Sequence, residues 1–187
     1  MPDPLLIIVT GMPGSGKTTL ARRLATDFRL PLLYKDGIKE QLFDALGWSD
    51  RAWSRKLGQA TYPLFYYLME IQLAAGVSCI VESNFSREYA TSEFRDLQQK
   101  YRFRPFQILC FANGETLLRR FKARAETAER HPGHVEQDNY AEFESHLLHD
   151  TLEPIDLEGT LYSLDTNDFE AIDYKKLYAA IQGALAL

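Results

Sequence analysis

Gly11-Met12-Pro13-Gly14-Ser15-Gly16-Lys17-Thr18 is the stretch that decides the reading of this 187-residue chain. It matches the pattern G-x-x-x-x-G-K-[ST], which average composition produces by chance in roughly one chain of this length in a hundred. The flanks sharpen it. An apolar run, Leu5 to Thr10, leads in as a strand, and an amphipathic stretch, Thr19 to Phe28, leads out as a helix. Glycines let backbone amides curl around phosphate oxygens, and the helix N-terminus adds the positive end of its dipole. In such a loop Lys17 reaches the β- and γ-phosphates, and the Thr18 hydroxyl ligates Mg2+. Gly11, Pro13, Gly14, Ser15, Gly16, Lys17, Thr18 and Thr19 are therefore the candidate nucleotide-binding residues, with ATP and Mg2+ as the implied cofactors. The plain alternative is a glycine-rich turn that happens to precede a helix.

Outward from this loop, four further apolar runs read as strands: Leu32 to Tyr34, Ser78 to Val81, Phe106 to Phe111 and Leu161 to Leu164. They are near-continuous rather than alternating, as in parallel strands covered on both faces. Between them lie helical stripes: Leu20, Leu24 and Phe28; Leu57, Leu64, Leu68, Ile71 and Ala75; Phe94, Leu97 and Tyr101; Tyr140, Phe143, Leu147 and Leu148; Leu177 and Ile181. Alternating strand and helix predicts a single α/β domain over residues 1–187 with a parallel sheet. Hydrophobic residues at 45% and charged residues at 25% suit an ordinary globular domain of this size. The net charge of -5 speaks against a surface built for nucleic acid or anionic membranes. Pro2, Asp3 and Pro4 stand where a signal peptide would carry positive charge, and Leu5 to Val9 is too short for a span. Cys79 and Cys110 sit inside apolar runs as small hydrophobes, which places the protein in the cytoplasm.

Several charged residues fall where ligands collect, at the carboxyl ends of strands. Asp36 follows the second strand and is the candidate base that accepts a hydroxyl proton as the oxygen attacks the γ-phosphorus. From position alone it could equally cap a helix from Gly37 to Leu46. Glu82 closes the third strand and is the second candidate Mg2+ ligand, with Ser83 and Asn84 beside it. After the fourth strand a basic helix begins near Glu115. Arg120 and Arg124 share one of its faces, as a lid closing over a triphosphate would require, whereas Arg119 and Lys122 read as solvated. His131-Pro132-Gly133-His134 reads as the turn of that lid, spanning about 115–136. The acidic segment from Glu136 to Glu158 reads as a solvated face. Trp48, Trp53, Tyr62, Phe65, Tyr66 and Tyr67 read as core with some rings free to line an acceptor pocket, and Pro63 is expected to kink their helix.

These motifs together resemble the small P-loop kinases that include chloramphenicol phosphotransferase, the zeta toxins, gluconate kinase and the kinase domain of phage polynucleotide kinase. Lys35-Asp36-Gly37-Ile38-Lys39 is similar to that family's R-D-x-x-R segment, which implies Asp36 as general base and Lys39 as a substrate contact. Glu82-Ser83-Asn84-Phe85 is similar to its D-x-N-L segment, which implies a substrate-side role for Glu82 and Asn84. Leu118 to Arg124 resembles its lid helix and implies Arg120 and Arg124 over the phosphates. The resemblance also implies a three-layer fold with sheet order 2-3-1-4-5, so that Cys79 and Cys110 flank the first strand and do not pair. Lys39 and Glu82 depart from the polynucleotide-kinase pattern. The leading expectation is ATP-dependent phosphorylation of a hydroxyl on a small molecule, with Lys17, Asp36, Arg120 and Arg124 catalytic. The alternatives are a kinase of nucleic-acid 5'-hydroxyl ends or nucleotide sugars, and an ATPase switch without transfer. No motif names the acceptor or the oligomeric state.

Overall fold

The computed structural model describes residues 3–186, so Pro2, read above as part of an uncharged lead, lies outside them. The strands are β1 (Leu5–Gly11), β2 (Leu32–Tyr34), β3 (Cys79–Glu82), β4 (Arg104–Phe111) and β5 (Thr160–Asp165). They form one sheet in the order β2-β3-β1-β4-β5, and every pair is parallel. β1 is central, which is why all of its residues are buried and why it reads as an unbroken apolar run. Its register sets Ile7 beside Ile80 on one side and Phe106 on the other.

The helices are α1 (Lys17–Phe28), α2 (Lys35–Leu46), α3 (Arg51–Ala74), α4 (Arg87–Tyr101), α5 (Gly114–Ala125), α6 (Tyr140–His149) and α7 (Tyr174–Ala186). Alternate β1 side chains feed two cores. Leu6 and Ile8 join Phe65, Met69 and Leu73 of α3 and Phe94 of α4. Ile7 and Val9 join Leu20 and Leu24 of α1 and Leu177 and Ile181 of α7. Each side chain fully buried there contributes about 1.5–3 kcal/mol. A third, smaller cluster of Met12, Leu117, Phe121 and Leu147 ties α5 and α6 to the loop after β1. Cys79 and Cys110 are free and buried on the two neighbours of β1, and burial pushes both thiols up to about 12.

The sequence reading of α3 needs correction. Of the stripe Leu57, Leu64, Leu68, Ile71 and Ala75, only Leu57 is buried. The core face is Ser54, Leu57, Thr61, Phe65, Met69 and Leu73 instead. The helix is apolar on both faces, so period alone could not choose between them. Pro63 does not interrupt it either. Pro63 lies on the exposed face, where the Gln59 carbonyl that it leaves without a donor can meet water. No helix among the described residues is long and apolar enough to cross a membrane.

Candidate active site

The loop from Gly11 to Gly16 joins the carboxyl end of β1 to the N-terminus of α1, at the crevice where open α/β sheets hold ligands. Gly14 and Gly16 have φ of 83° and 77°, left-handed values that favour glycine. A side chain at Gly14 would strike the Leu117 carbonyl, and one at Gly16 the Phe169 ring. Ser15 is fully buried and its Oγ has no hydrogen-bond partner, the kind of deficit that a phosphate oxygen would satisfy. Lys17 Nζ stands 3.9 Å from Glu82 Oε1, and Thr18 Oγ1 donates to Glu82 Oε2 at 2.9 Å. Burial raises the Glu82 carboxyl above its ordinary value, against the opposing charge of Lys17. A hydroxyl and a carboxylate converging beside the loop are hard oxygen donors, so Thr18 and Glu82 fit a Mg2+ ion.

Two cavities meet at this loop. The first, about 230 Å³, is lined by Gly14, Gly16, Thr18, Thr19, Arg120 and Phe169 together with Lys17 and Arg124. The second, about 200 Å³, is lined on its far side by Lys35, Asp36, Lys39, Arg51 and Asn84. Lys17 and Arg124 line both. Pro13 and Glu82 face the second cavity, while Gly11 lines neither and packs against Cys110.

Asp36 does not cap its helix. α2 starts at Lys35 with Tyr34 at the cap position, which puts Asp36 inside the first turn. Its Oδ2 accepts from Arg130 Nη1 at 2.9 Å, and its Oδ1 lies 3.8 Å from Lys35 Nζ. Burial works to raise its pKa, but the charges of Arg130, Lys35 and His134 outweigh that and hold it well below the usual carboxylate range. Lys39 is 5% exposed and bonds only Ser54 Oγ, at 2.9 Å, with no carboxylate within salt-bridge distance among the described residues. Burial, with Lys35 nearby, pulls its pKa down to about 8.

The two arginines predicted to lie over the phosphates differ in placement. Arg124 turns one amino group to Glu136 Oε1 at 3.2 Å, and its buried Nε has no partner. Burial and Arg130 lower its pKa, yet it remains a cation at neutral pH. Arg120 instead donates to the carbonyls of Thr166 and Asn167, at 2.7 and 3.0 Å, and lies 4.1 Å from the Phe169 ring centroid. That engagement ties Arg120 to the loop after β5, and Arg120 lines the first cavity with Lys17 and Arg124.

Sequence reasoning passed over Arg130, which follows the basic helix and bridges three acids, Asp36, Glu136 and, at 3.5 Å, Glu40. Besides Asp36, it holds both Glu136 oxygens, at 2.5 and 2.9 Å. His134 Nε2 meets Glu40 Oε1 at 3.0 Å, and His131 Nε2 meets Asp44 Oδ1 at 3.2 Å. Asp36, Glu40 and Asp44 recur every four residues on one face of α2, which was the available signal. Burial lowers the His134 pKa, against the hydrogen bond to Glu40 that works to raise it.

The profile of the AAA domain family matches residues 6–147 of the chain. A protein of Chloroflexus aurantiacus j-10-fl, assigned as a kinase, is 41% identical, with a TM-score of 0.91 over 97% of this chain and 98% of that one. The APS kinase CysC of Mycobacterium tuberculosis, solved with AMPPNP and APS, is 14% identical and shares the fold, with a TM-score of 0.60 over 97% of this chain and 99% of that one. A gluconokinase of Sinorhizobium meliloti 1021 does so at 14% identity and a TM-score of 0.57, over 99% of this chain and 94% of that one. Among curated proteins none matches the chain. The match over most of the chain, the phosphate loop and the sheet order together make the protein a member of the AAA domain family, of the small P-loop kinase type.

Proposed function

We propose that the protein transfers the γ-phosphate of ATP to a hydroxyl of a small molecule. The observation that carries this is the meeting of the two cavities at Lys17 and Arg124 alone, with Asp36 on the side away from Thr18 and Thr19. The first cavity takes the nucleotide and the second the acceptor, so the γ-phosphorus would sit between a donor groove and a carboxylate. In-line transfer needs little beyond such positioning and charge neutralisation.

Backbone amides of Gly14 to Thr18 and the Ser15 hydroxyl take phosphate oxygens, and Lys17 and Arg124 offset the charge that spreads over the γ-phosphoryl group. Bound Mg2+, held by Thr18 and Glu82, would add further neutralisation between the phosphates. The acceptor hydroxyl donates to Asp36 Oδ1, the oxygen that Arg130 leaves free, and Asp36 takes the proton late in transfer. A carboxylate this acidic is a weak base, which suits a loose transition state that needs only modest nucleophile activation. Lys39 narrows the acceptor class. An ammonium buried without a carboxylate favours an acceptor that brings its own acid group.

The test is transfer of labelled phosphate from Mg·ATP to pooled sugars, sugar acids, nucleosides and 5'-hydroxyl oligonucleotides. Label should appear on a small molecule, and Lys17→Ala should abolish it. Release to water alone, unchanged in Asp36→Ala, would sink the transfer reading.

A further inference from the structure

A further cavity, of about 400 Å³, lies between α3, the turn after β3 and α4. Tyr62 and Tyr66, one turn apart on α3, line it together with Phe85 from the turn and Tyr89 and Glu93 from α4. Its inner wall is firmly held. Phe85 is buried, and its backbone N–H donates to Thr10 Oγ1 at 3.1 Å. The Phe85 and Tyr66 rings both pack edge-on with Phe94, at centroid distances of 5.1 and 5.9 Å. Tyr89 is 72% exposed and forms the rim with Glu93. This cavity adjoins the acceptor cavity: Asn84 lines both, and Lys35 Nζ, on the acceptor side, lies 5.4 Å from the Tyr62 ring centroid.

Charge separates the two cavities. Lys35, Lys39, Arg51, Arg124 and Arg130 stand in the walls of the acceptor cavity, whereas no Lys or Arg lines its neighbour. Lys35 is held toward Asp36, 3.8 Å away. Arg87 and Arg95, the nearest cations along α4, are engaged by Glu153 and Asp156, so Glu93 has no salt-bridge partner among the described residues. Its charge reaches Tyr66, whose hydroxyl is pushed above its ordinary value by burial and then by Glu93. Aromatic rings gathered beside an unpaired carboxylate attract a cation, above all an ammonium whose carbons also suit apolar walls. We propose that this cavity holds an ammonium group of the acceptor, with Tyr62, Tyr66, Phe85 and Tyr89 around it and Glu93 as its counter-charge. Calling the occupant an acceptor rests on the transfer reading, but the recognition of an ammonium does not. With Lys39 on the other side, the acceptor class narrows to a zwitterionic hydroxyl compound, its acid group at Lys39 and its ammonium among the tyrosines. A neutral ring or aliphatic group would use the aromatic walls and leave Glu93 without a role.

Choline and its neutral isostere, in which a quaternary carbon replaces the nitrogen, share one shape and differ in charge, so they probe the site without ATP. Titration of the full chain followed by ligand NMR should show saturable choline binding at millimolar concentration, and binding of the isostere weaker by about tenfold. Glu93→Gln and Tyr89→Ala should each weaken choline several-fold, with Mg·AMPPNP binding retained as proof of folding. In the transfer assay, label should pass to hydroxy amino acids with a KM that rises several-fold in Glu93→Gln. Absence of choline binding overturns the proposal, as does equal affinity for the isostere or choline binding that neither variant weakens. Label on an uncharged acceptor, with KM unmoved in Glu93→Gln, overturns it while leaving transfer intact. Choline binding that responds to both variants, with no label on any hydroxyl, would uphold the ammonium site and sink the transfer reading instead.

Discussion

At Lys39, stability and function pull apart. The groups that face it are Lys35 and Asp36 from α2, Arg51 and Ser54 from α3, and Arg130 and His134 from the turn after α5. Cations predominate, so the ammonium is retained at a cost to the free protein. Lys39→Met keeps the volume and removes that cost, and should raise stability at neutral pH by about 1–3 kcal/mol, seen as a higher Tm. The same variant should raise KM for an acid-bearing acceptor by about tenfold or more, with KM for ATP unchanged. With its pKa near 8, Lys39 loses its charge as pH rises through that value. KM for the acceptor should therefore climb above pH 8 in the wild type and stay flat in Lys39→Met. A Tm that falls in the variant would make Lys39 a structural residue. Asp36 gives the companion test: Asp36→Asn should bind Mg·AMPPNP normally and lose kcat by about 10²-fold or more. Equal loss of binding would assign it to the fold.

At the scale of elements, the turn after α5 is fastened to α2 by Arg130, His134 and His131, each on an acid of one helical face. Asp36 and Glu136 have lowered pKa values, so their contribution is complete above about pH 4 and fades as pH falls through the lower folded values. His134 is also lowered, so its neutral form favours folding above about pH 6.5 and that contribution is lost on acidification. All three act in one direction. Denaturation curves should show stability falling below about pH 6.5 as His134 protonates and falling further below about pH 4 as Asp36 and Glu136 do. Arg130→Met should flatten the part below about pH 4 while costing about 2–4 kcal/mol at pH 7. An unchanged slope would place the acid sensitivity elsewhere. These fastenings were half legible. The repeat of Asp36, Glu40 and Asp44 stands in the sequence, but Arg130 lies 94 residues from Asp36 and nothing local pairs them. α3 failed for the opposite reason: both of its faces are apolar, and only the sheet's position shows which one is core.

Across the whole molecule, what could be read from the sequence is what local physics dictates. Doubly covered strands must be apolar throughout, and a loop that cradles phosphate must be rich in glycine, so the five strands and the nucleotide groove were visible in advance. The engagement of Arg120 with the loop after β5 was not, since it depends on how α5 settles over Phe169. That same geometry makes the groove a seam between two bodies. One wall is the β1–α1 loop, and the other is α5 with the loop before α7. A nucleotide that touches both should join them, at about 2.7 kcal/mol when it is present at 100 times its Kd. Hydrogen exchange should then slow most in α5, α6 and the loop after β5, where the cluster of Met12, Leu117, Phe121 and Leu147 is small. The central strands β1 and β4, buried on both sides, should exchange only by global unfolding and gain no more than the overall stabilisation. If Mg·AMPPNP protects every segment equally, the α5–α6 body is already as firmly held as the sheet, and binding does not proceed by closing one wall on the other.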